Sequence, residues 1–392
     1  MTLESVVIVA AKRTPMGGFM GALSDAQSTE LGATAIASVL TQTGLANDAI
    51  DEVIMGCVLP AGLGQAPARQ AMLKAGLALS TGATTINKVC GSGLKAAMLA
   101  NDLIKAGSIQ SAIAGGMESM TNAPYFIPKA RGGMRMGHGE IKDHMMSDGL
   151  EDAYDNKAMG CFAQDTADEY GIGREQMDAF ALGSLSKAKA AIQNGSFDNE
   201  VAPHTMQTRK GDVTVSIDEQ PGNARPEKFL PYVQLLKDGT ITAANSSSIS
   251  DGGAALILMS ESKAKEQGLT PLCKIVAHST HSQKPSEFTV APVGAMNSVL
   301  EKAGWAVNDV DLWEINEAFA MVTMLAINEL KLDESKVNVN GGACALGHPI
   351  GASGARILVT LIHALKNRGL KKGIASLCIG GGEAVAMAVE AY

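Results

Sequence analysis

The chain has 392 residues, 46% of them hydrophobic and 18% charged; Lys and Arg number 32, Asp and Glu 40, and the net charge is −8. This is globular composition, long enough for two or three domains, and it excludes wholesale disorder. The acid excess argues against bulk nucleic-acid binding, which needs a basic footprint, and the 43 glycines, lacking a three-residue period, exclude collagen and point to tight loops where backbone approaches a ligand.

From the N-terminus, S-V-V-I-V-A-A ending at Ala11 reads as a strand. The stretch from Met1 to Ala11 carries Glu4 and lacks the basic start, apolar run and cleavage site of a signal peptide. An apolar-periodic helix through Ser38-Val39-Leu40 stops at Gly44, and a strand over Val53–Val58 follows Asp51. Ile86–Val89 is a short strand candidate leading into Cys90-Gly91-Ser92-Gly93-Leu94-Lys95 and a helix to about Ala106. A strand ending in glycines follows, A-I-A-G-G-M-E at 112 to 118.

Residues 120–249 differ in character. The segment 129–140, K-A-R-G-G-M-R-M-G-H-G-E, is basic, Gly-rich and Met-rich; 165–194 reads as one or two helices; 195–239 is polar, with Pro203, Pro221, Pro226 and Pro231. This is a loop or lid insertion, either adapting to apolar ligands through its methionines or serving as a structural or subunit contact.

Beyond it the chain repeats itself. Ser298-Val299-Leu300, Gly304 and Asp311 restate Ser38-Val39-Leu40, Gly44 and Asp51 at an offset of 260, and a strand over Leu312–Ile315 follows. Val337–Val339 is the next short strand candidate, followed by Gly351-Ala352-Ser353-Gly354-Ala355-Arg356 and a helix to about Lys366. L-C-I-G-G-G-E at 377 to 383 again ends a strand in glycines. Strands alternating with helices predict an α/β layered sheet made of two duplicated halves. Equivalent loops of the halves are expected to meet at a shared seam. The expected division is 1–119 with 250–270, an insertion 120–249, and 271–392.

The six cysteines (Cys57, Cys90, Cys161, Cys273, Cys344, Cys378) form no C-x-x-C pair, which argues against a disulfide scaffold or zinc knuckle. No run of 18 apolar residues occurs, and the C-terminal E-A-Y is no obvious address signal. The expectation is a reduced, cytoplasmic protein without a membrane span.

Cys90 stands at a strand-to-helix junction, where free N–H groups and the positive helix end are expected to lower a thiol's pKa. A buried, inert cysteine is the alternative. His348 lies in the equivalent loop of the second copy, N-G-G-A-C-A-L-G-H-P-I-G-A-S-G, and facing copies would bring it to Cys90, a pairing that activates thiols. It is otherwise a histidine packed in a turn. Cys378 precedes Gly380-Gly381-Gly382 at a strand end, where bare N–H groups can hold an oxyanion. Asn316, in N-E-A-F, sits at another strand end and is a candidate either for the site or for capping a helix from Glu317 onward.

With these residues in place the chain resembles the thiolases. The resemblance runs through V-C-G-S-G-L-K-A from Val89, N-S-S-S-I-S-D-G from Asn245, N-E-A-F from Asn316, N-G-G-A-C-A-L-G-H-P-I-G-A-S-G-A-R from Asn340 and C-I-G-G-G from Cys378. It implies a layered αβαβα fold and reversible acyl transfer between CoA thioesters, condensing two acetyl-CoA to acetoacetyl-CoA. Cys90 would carry the acyl group, His348 would activate it, and Cys378 would exchange the α-proton. Asn316 would hold a water that forms one oxyanion site with His348, and the N–H groups of Cys90 and Gly380 would form another. Ser247, Met159 and Phe319 would contact the pantetheine arm. The resemblance implies no cofactor beyond CoA as substrate, no metal, and a homodimer or homotetramer.

The chain departs from the family at Ala158, where a histidine is usual, and at Phe288, where a methionine commonly shapes the acyl pocket; the family's L-R-P or L-K-P segment is not recognisable in Phe229-Leu230-Pro231-Tyr232. Chain length is the property these changes affect, since one methylene is worth about 1–3 kcal/mol in such pockets. A thiolase for longer 3-ketoacyl chains is the alternative within the family. Lys129, Arg131, Arg135, Arg209, Lys210 and Arg225 are candidates for the CoA phosphates. Outside the family, Gly91, Gly93 and Ala96 with Glu118 partly fit a dinucleotide fingerprint, which would leave His348 and Cys378 unexplained. A non-catalytic acyl-CoA carrier would need none of Cys90, His348 and Cys378.

Overall fold

A computed structural model describes residues 4–209, 211–225 and 239–392. The first repeat runs β1 (Val6–Arg13), a two-residue β2 (Gly17–Gly18), α1 (Ser28–Thr43), β3 (Glu52–Gly56), α2 (Pro67–Lys74), β4 (Gly82–Ile86), α3 (Ser92–Lys105) and β5 (Ser111–Ser119). The insertion contributes β6 (Tyr125–Phe126), β7 (Lys142–Asp143), α4 (Met159–Glu169), α5 (Arg174–Gln193), β8 (His204–Thr208), β9 (Gly211–Val215) and a short α6 (Glu219–Asn223). The chain then returns through β10 (Ser250–Ser260) and α7 (Glu261–Glu266). The second repeat is β11 (Cys273–Ser282), α8 (Ala291–Ala303), β12 (Leu312–Ile315), α9 (Ala320–Leu330), α10 (Ala343–Leu346), α11 (Ile350–Arg368), β13 (Lys372–Ile379) and β14 (Glu383–Ala391).

The strands of the main sheet follow one path, β12-β13-β14-β11-β1-β10-β5-β3-β4, with β2 paired to β10, while β6-β7 and β8-β9 form separate two-stranded sheets. Its midpoint is the antiparallel contact of β1 with β11. On either side the order mirrors: β10 with β14, β5 with β13, β3 with β12. β3 runs parallel to β5 and β12 parallel to β13. The apolar strands are buried on both faces, and alternate residues point to different layers. Val6 and Ile8 join α3, α11 and the second half's strands in one core, whereas Val7 and Val9 pack with α1 and α2. β12 and β14 place Trp313 and Ala386 against α8. The layers are therefore helix, strand, helix, strand, helix, with α3 and α11 in the middle.

The repeated residues do repeated work. Gly44 and Gly304 end α1 and α8 in the left-handed region, φ 67° and 66°, which glycine adopts without penalty. One carboxylate oxygen of Asp51 accepts the N–H groups of Gln110 and Ser111, and one of Asp311 accepts those of Lys371 and Lys372, so each pins the start of the equivalent strand. Gly93 and Gly354 lie where α3 crosses α11: a Cβ on Gly93 would come 2.6 Å from Ala355 N, and one on Gly354 2.3 Å from Leu94 N. The repeated Ser-Gly pair is thus what lets the central helices cross in backbone contact.

Three sequence expectations change. The strand expected over Ile86–Val89 ends at Ile86, because Val89 takes φ 44° and turns the chain. Val337–Val339 forms no strand, only a bridge from Val337 to Trp313. There the side chain of Asn338 accepts from Ile315 N and donates to Ile315 O, both at 2.8 Å, replacing the backbone ladder on β12. The glycines of 112–118 do not end their strand but lie within β5, where a Cβ at Gly115 would meet Ala254 O and one at Gly116 would meet Gly351 O. The 165–194 segment resolves into α4 and α5, with Gly171 at φ 63° between them.

The insertion is tied to β1 through a buried ion cluster. Arg13 Nε donates to Glu200 Oε1 at 2.6 Å, its two Nη atoms donate to Asp218, and Phe197 lies against its guanidinium. Among the described residues, no helix is long and apolar enough to cross a membrane. Lys210, Pro226 and Phe229–Tyr232 lie outside the described residues.

Candidate active site

One cavity of about 580 Å³ sits where the two halves meet the insertion. Cys90, His348 and Gly380 line it, with Ser247, Met159, Phe319 and Phe288. Cys378 and Asn316 are not in its wall; both are 1% exposed and lie behind it.

Cys90 is positioned by a strained turn. Val89 has φ 44°, a costly value for a β-branched residue. The turn is held by hydrogen bonds: Asn87 Oδ1 accepts Val89 N–H, Ser92 Oγ accepts Lys88 N–H, and Ser92 donates to Val89 O. Gly91 caps α3 and rests on the strand end of β13, where a Cβ would meet Ile379 Cδ1 at 2.4 Å. The backbone N–H groups of Gly380 and of Cys90 itself favour the thiolate form of the Cys90 sulfur.

The expectation of a lowered Cys90 pKa is not met. Burial is the largest influence and pushes the thiol up to about 11, with the Glu118 charge adding to it; the two N–H groups oppose this and do not overcome it. Glu118 is itself buried, accepts N–H from Val58, Leu59 and Gly351, and is raised by burial to about 7. Burial pushes the Cys378 thiol up further, and the neighbouring Cys90 raises it again. Both shifts favour the thiol over the thiolate.

His348 lies between α10 and α11. Gly347 before it takes φ 104°, and His348 N–H bonds Ser248 O and Ser250 Oγ at 3.2 Å each. Its Nδ1 is 2.5 Å from Ser353 Oγ. Its Nε2 is buried without a hydrogen-bond partner among the described residues. Burial, then the Arg356 charge, lowers the ring to about 3, so the imidazole is neutral near pH 7.

Asn316 does not cap a helix. Its N–H bonds Ser376 O, α9 begins at Ala320 with Phe319 as its cap, and Asn316 Oδ1 lies 3.4 Å from Arg356 Nη2. Its amide nitrogen is buried with no partner among the described residues. Ser247 Oγ donates to Ala318 O at 2.9 Å, which turns its hydroxyl onto the N-E-A-F loop. Lys129, Arg131, Arg135, Arg209 and Arg225 are exposed, and none lines the cavity.

Sequence reasoning missed several groups. Ala158 and Phe288, expected to shape the acyl space, are both in the cavity wall, and Met120, Met146, Leu150 and Cys161, which the sequence did not single out, lie beside them. The Met-rich signal lay in 129–140, which contains neither Met120 nor Met146. Glu118 entered only as part of a dinucleotide pattern, and Ser353 only as part of a repeat. All six cysteines are free thiols.

A thiol, a neutral imidazole with one unpartnered nitrogen and paired N–H groups at one cavity, with a second thiol buried two residues before Gly380, make an arrangement suited to covalent acyl transfer. The comparisons agree with it. The thiolase N-terminal domain matches residues 6–262 and the thiolase C-terminal domain residues 269–391. The chain is 50% identical over 394 residues to an acetyl-CoA acetyltransferase of Cupriavidus necator, covering 99% of this chain and 100% of that one. It is 48% identical over 391 residues to an acetyl-CoA acetyltransferase of Escherichia coli K12, covering 99% of each. The crystal structure of the Bacillus anthracis acetyl-CoA acetyltransferase superposes with a TM-score of 0.97 at 43% identity, over 100% of this chain and 99% of that one. A thiolase of Ascaris suum in complex with coenzyme A superposes at 0.94 with 40% identity, over 99% of this chain and 100% of that one. With matching fold, matching loops and full-length similarity, the chain belongs to the thiolase family.

Proposed function

We propose that this thiolase is an acetyl-CoA C-acetyltransferase, condensing two acetyl-CoA reversibly to acetoacetyl-CoA and free CoA by ping-pong transfer through an acyl-Cys90 thioester. The observation that carries this reading is the convergence of Cys90, His348 and Gly380 on one cavity, with Cys378 buried near the end of β13 two residues before Gly380. The relatives at about half identity, named for this activity, support the substrate.

The proton inventory closes with these residues. Cys90 gives its proton to His348 Nε2 as its sulfur attacks the acetyl carbonyl, and Cys378 gives its proton to the departing CoA sulfur. The Cys378 thiolate then takes the α-proton of the second acetyl-CoA, and the resulting carbanion attacks the acyl carbon. The Cys90 sulfur leaves and recovers its proton from His348. The Cys90 and Gly380 N–H groups support one oxyanion, and His348 with a water held by Asn316 supports the other. High resting thiol pKa values fit this order, because each proton leaves only when a partner receives it.

Ser247, Met159 and Phe319 would guide the pantetheine arm, and Phe288 and Ala158 would set the acyl space. CoA is substrate, and no metal or further cofactor enters. The basic residues of the insertion would meet the CoA phosphates; charge reversal at Lys129, Arg131, Arg135, Arg209 or Arg225 should raise KM for acyl-CoA. In this reading the units are 1–119 with 250–270, 120–249 as a loop domain, and 271–392, and the protein works in the cytoplasm. A homodimer or homotetramer is part of it. β4 ends the strand path as an open edge, and Leu79, Met136 and Tyr154 are exposed apolar side chains that a second copy would cover. Light scattering on the purified chain tests this point.

The deciding experiment is thiolysis of acetoacetyl-CoA and longer 3-ketoacyl-CoAs with free CoA, with intact-mass detection of the protein. A Cys90 acetyl adduct and preference for four carbons supports the proposal. Preference for longer chains keeps the mechanism and overturns the substrate, and the absence of any adduct or turnover overturns both.

A further inference from the structure

We propose that Ser353 is a positioning residue that fixes the tautomer of His348, holding its proton on Nδ1 so that Nε2 faces the cavity bare. The inference rests on the reading of His348 as the base that takes the Cys90 proton.

The count of protons around Ser353 separates the two tautomers. Ser353 Oγ has one hydrogen and two partners in reach, Pro349 O at 2.9 Å and His348 Nδ1 at 2.5 Å. A serine hydroxyl donates once and can accept as well. If its hydrogen goes to Pro349 O, the short contact to the ring requires a hydrogen on Nδ1, and a neutral imidazole then has none on Nε2. If instead it goes to Nδ1, Nε2 becomes a buried N–H donor with no acceptor among the described residues. Nε2 lacks a partner among the described residues in either tautomer, so the cost of a buried unmet group, about 1–3 kcal/mol, falls on both. What separates them is that a base already carrying a proton on Nε2 cannot receive the one from Cys90.

The first copy supplies independent support, because its directions are not in question. Ser92 is the repeat mate of Ser353, one residue before the equivalent glycine. Its hydroxyl accepts the N–H of Lys88, a group that can only donate, and gives its hydrogen to the carbonyl of Val89. Both serines therefore face a backbone carbonyl just upstream and a nitrogen ahead of their helix. In the first copy that nitrogen is backbone and the serine shapes the nucleophile's turn. In the second it is the imidazole, and the same pattern of giving and accepting sets the base. Ser353 is fully buried, so water does not compete for the contact.

When His348 becomes an imidazolium, the Nδ1–H bond to Ser353 remains, so acylation requires no ring flip. The sulfur–hydrogen bond of Cys90 breaks, a hydrogen forms a bond to Nε2, and the positive charge spreads toward the serine oxygen.

The test joins 15N NMR of the histidine-labelled protein with kinetics of Ser353→Ala and Ser353→Thr. The native protein should give a protonated Nδ1 and an unprotonated Nε2 for His348, assigned against His348→Ala. Ser353→Ala should move proton occupancy to Nε2 and lower kcat for thiolysis by about 10- to 100-fold, with KM for the acyl-CoA within twofold, and Ser353→Thr should restore both. A protonated Nε2 in the native protein overturns the inference, and this reading stands even where Ser353→Ala fails to fold. An alanine variant with native kcat also overturns it. If His348→Ala itself acylates at the native rate, the base assignment falls instead, and the two failures are distinguishable.

Discussion

The entrances to the two central helices are copies of one loop that have come to do different things. Both place a serine and then a glycine at the first turns of α3 and α11, and both use the glycine to let the helices touch. The first entrance is taut, with Val89 at φ 44° and its hydrogen bonds spent on shaping backbone, and it presents Cys90 half-buried at the cavity. The second puts its serine against a side chain, so that His348 is buried and aimed by one short contact. The comparison teaches that a duplicated scaffold makes a two-residue site by letting one copy present a reactive atom and the other tune it.

The strongest test of that division is Cys90→Ala. Removing the acyl carrier should abolish the covalent adduct and cut turnover by about 10⁴-fold or more, read by intact mass and by thiolysis rates. An adduct surviving in this variant would break the division outright. Cys378→Ala should be next in size. It should still acylate at Cys90, while carbon–carbon chemistry falls by about 10²- to 10⁴-fold; full thiolysis activity would remove Cys378 from the mechanism.

Gly93→Ala and Gly354→Ala sharpen the structural half of the comparison. Each methyl would press on the partner helix's backbone, so each should cost about 1–3 kcal/mol in urea unfolding. The double variant should cost less than the sum, because both act at one crossing. Strict additivity would mean the entrances do not share a contact. The remaining test concerns pH. The Cys90 thiol is raised to about 11 and the His348 ring lowered to about 3, so no thiolate–imidazolium pair exists at rest near neutrality. Since only the thiolate alkylates, carboxamidomethylation of Cys90 should rise about tenfold per pH unit up to roughly pH 10. A plateau beginning near pH 6 or 7 would show that the pair is ionised in the free protein.

Much of this was legible in residue order. Offset repetition of Ser-Val-Leu, Gly and Asp revealed the duplication, because a helix stop and a strand clamp each require one residue type at one place. Glycine runs flanking Cys90, His348 and Cys378 marked the loops that converge. Asn316 was legible as a site residue but not in its surroundings: its side chain meets Arg356 from the middle layer, 40 residues on, and no local pattern records that.

Local chemistry, then, was determined by sequence alone: which turns must be glycine, which strands are buried on both faces, and which side chains can carry an acyl group or a proton. The tertiary structure decided what depends on summed burial and on distant neighbours. It decided that the Cys90 thiol is raised, because desolvation at the seam outweighs the two N–H groups that favour the thiolate. It decided that Asn338 replaces a strand, because its amide happens to fit the edge of β12. And it decided which nitrogen of His348 is bare, because that rests on one hydroxyl whose two partners, Pro349 O and His348 Nδ1, meet only in the folded chain.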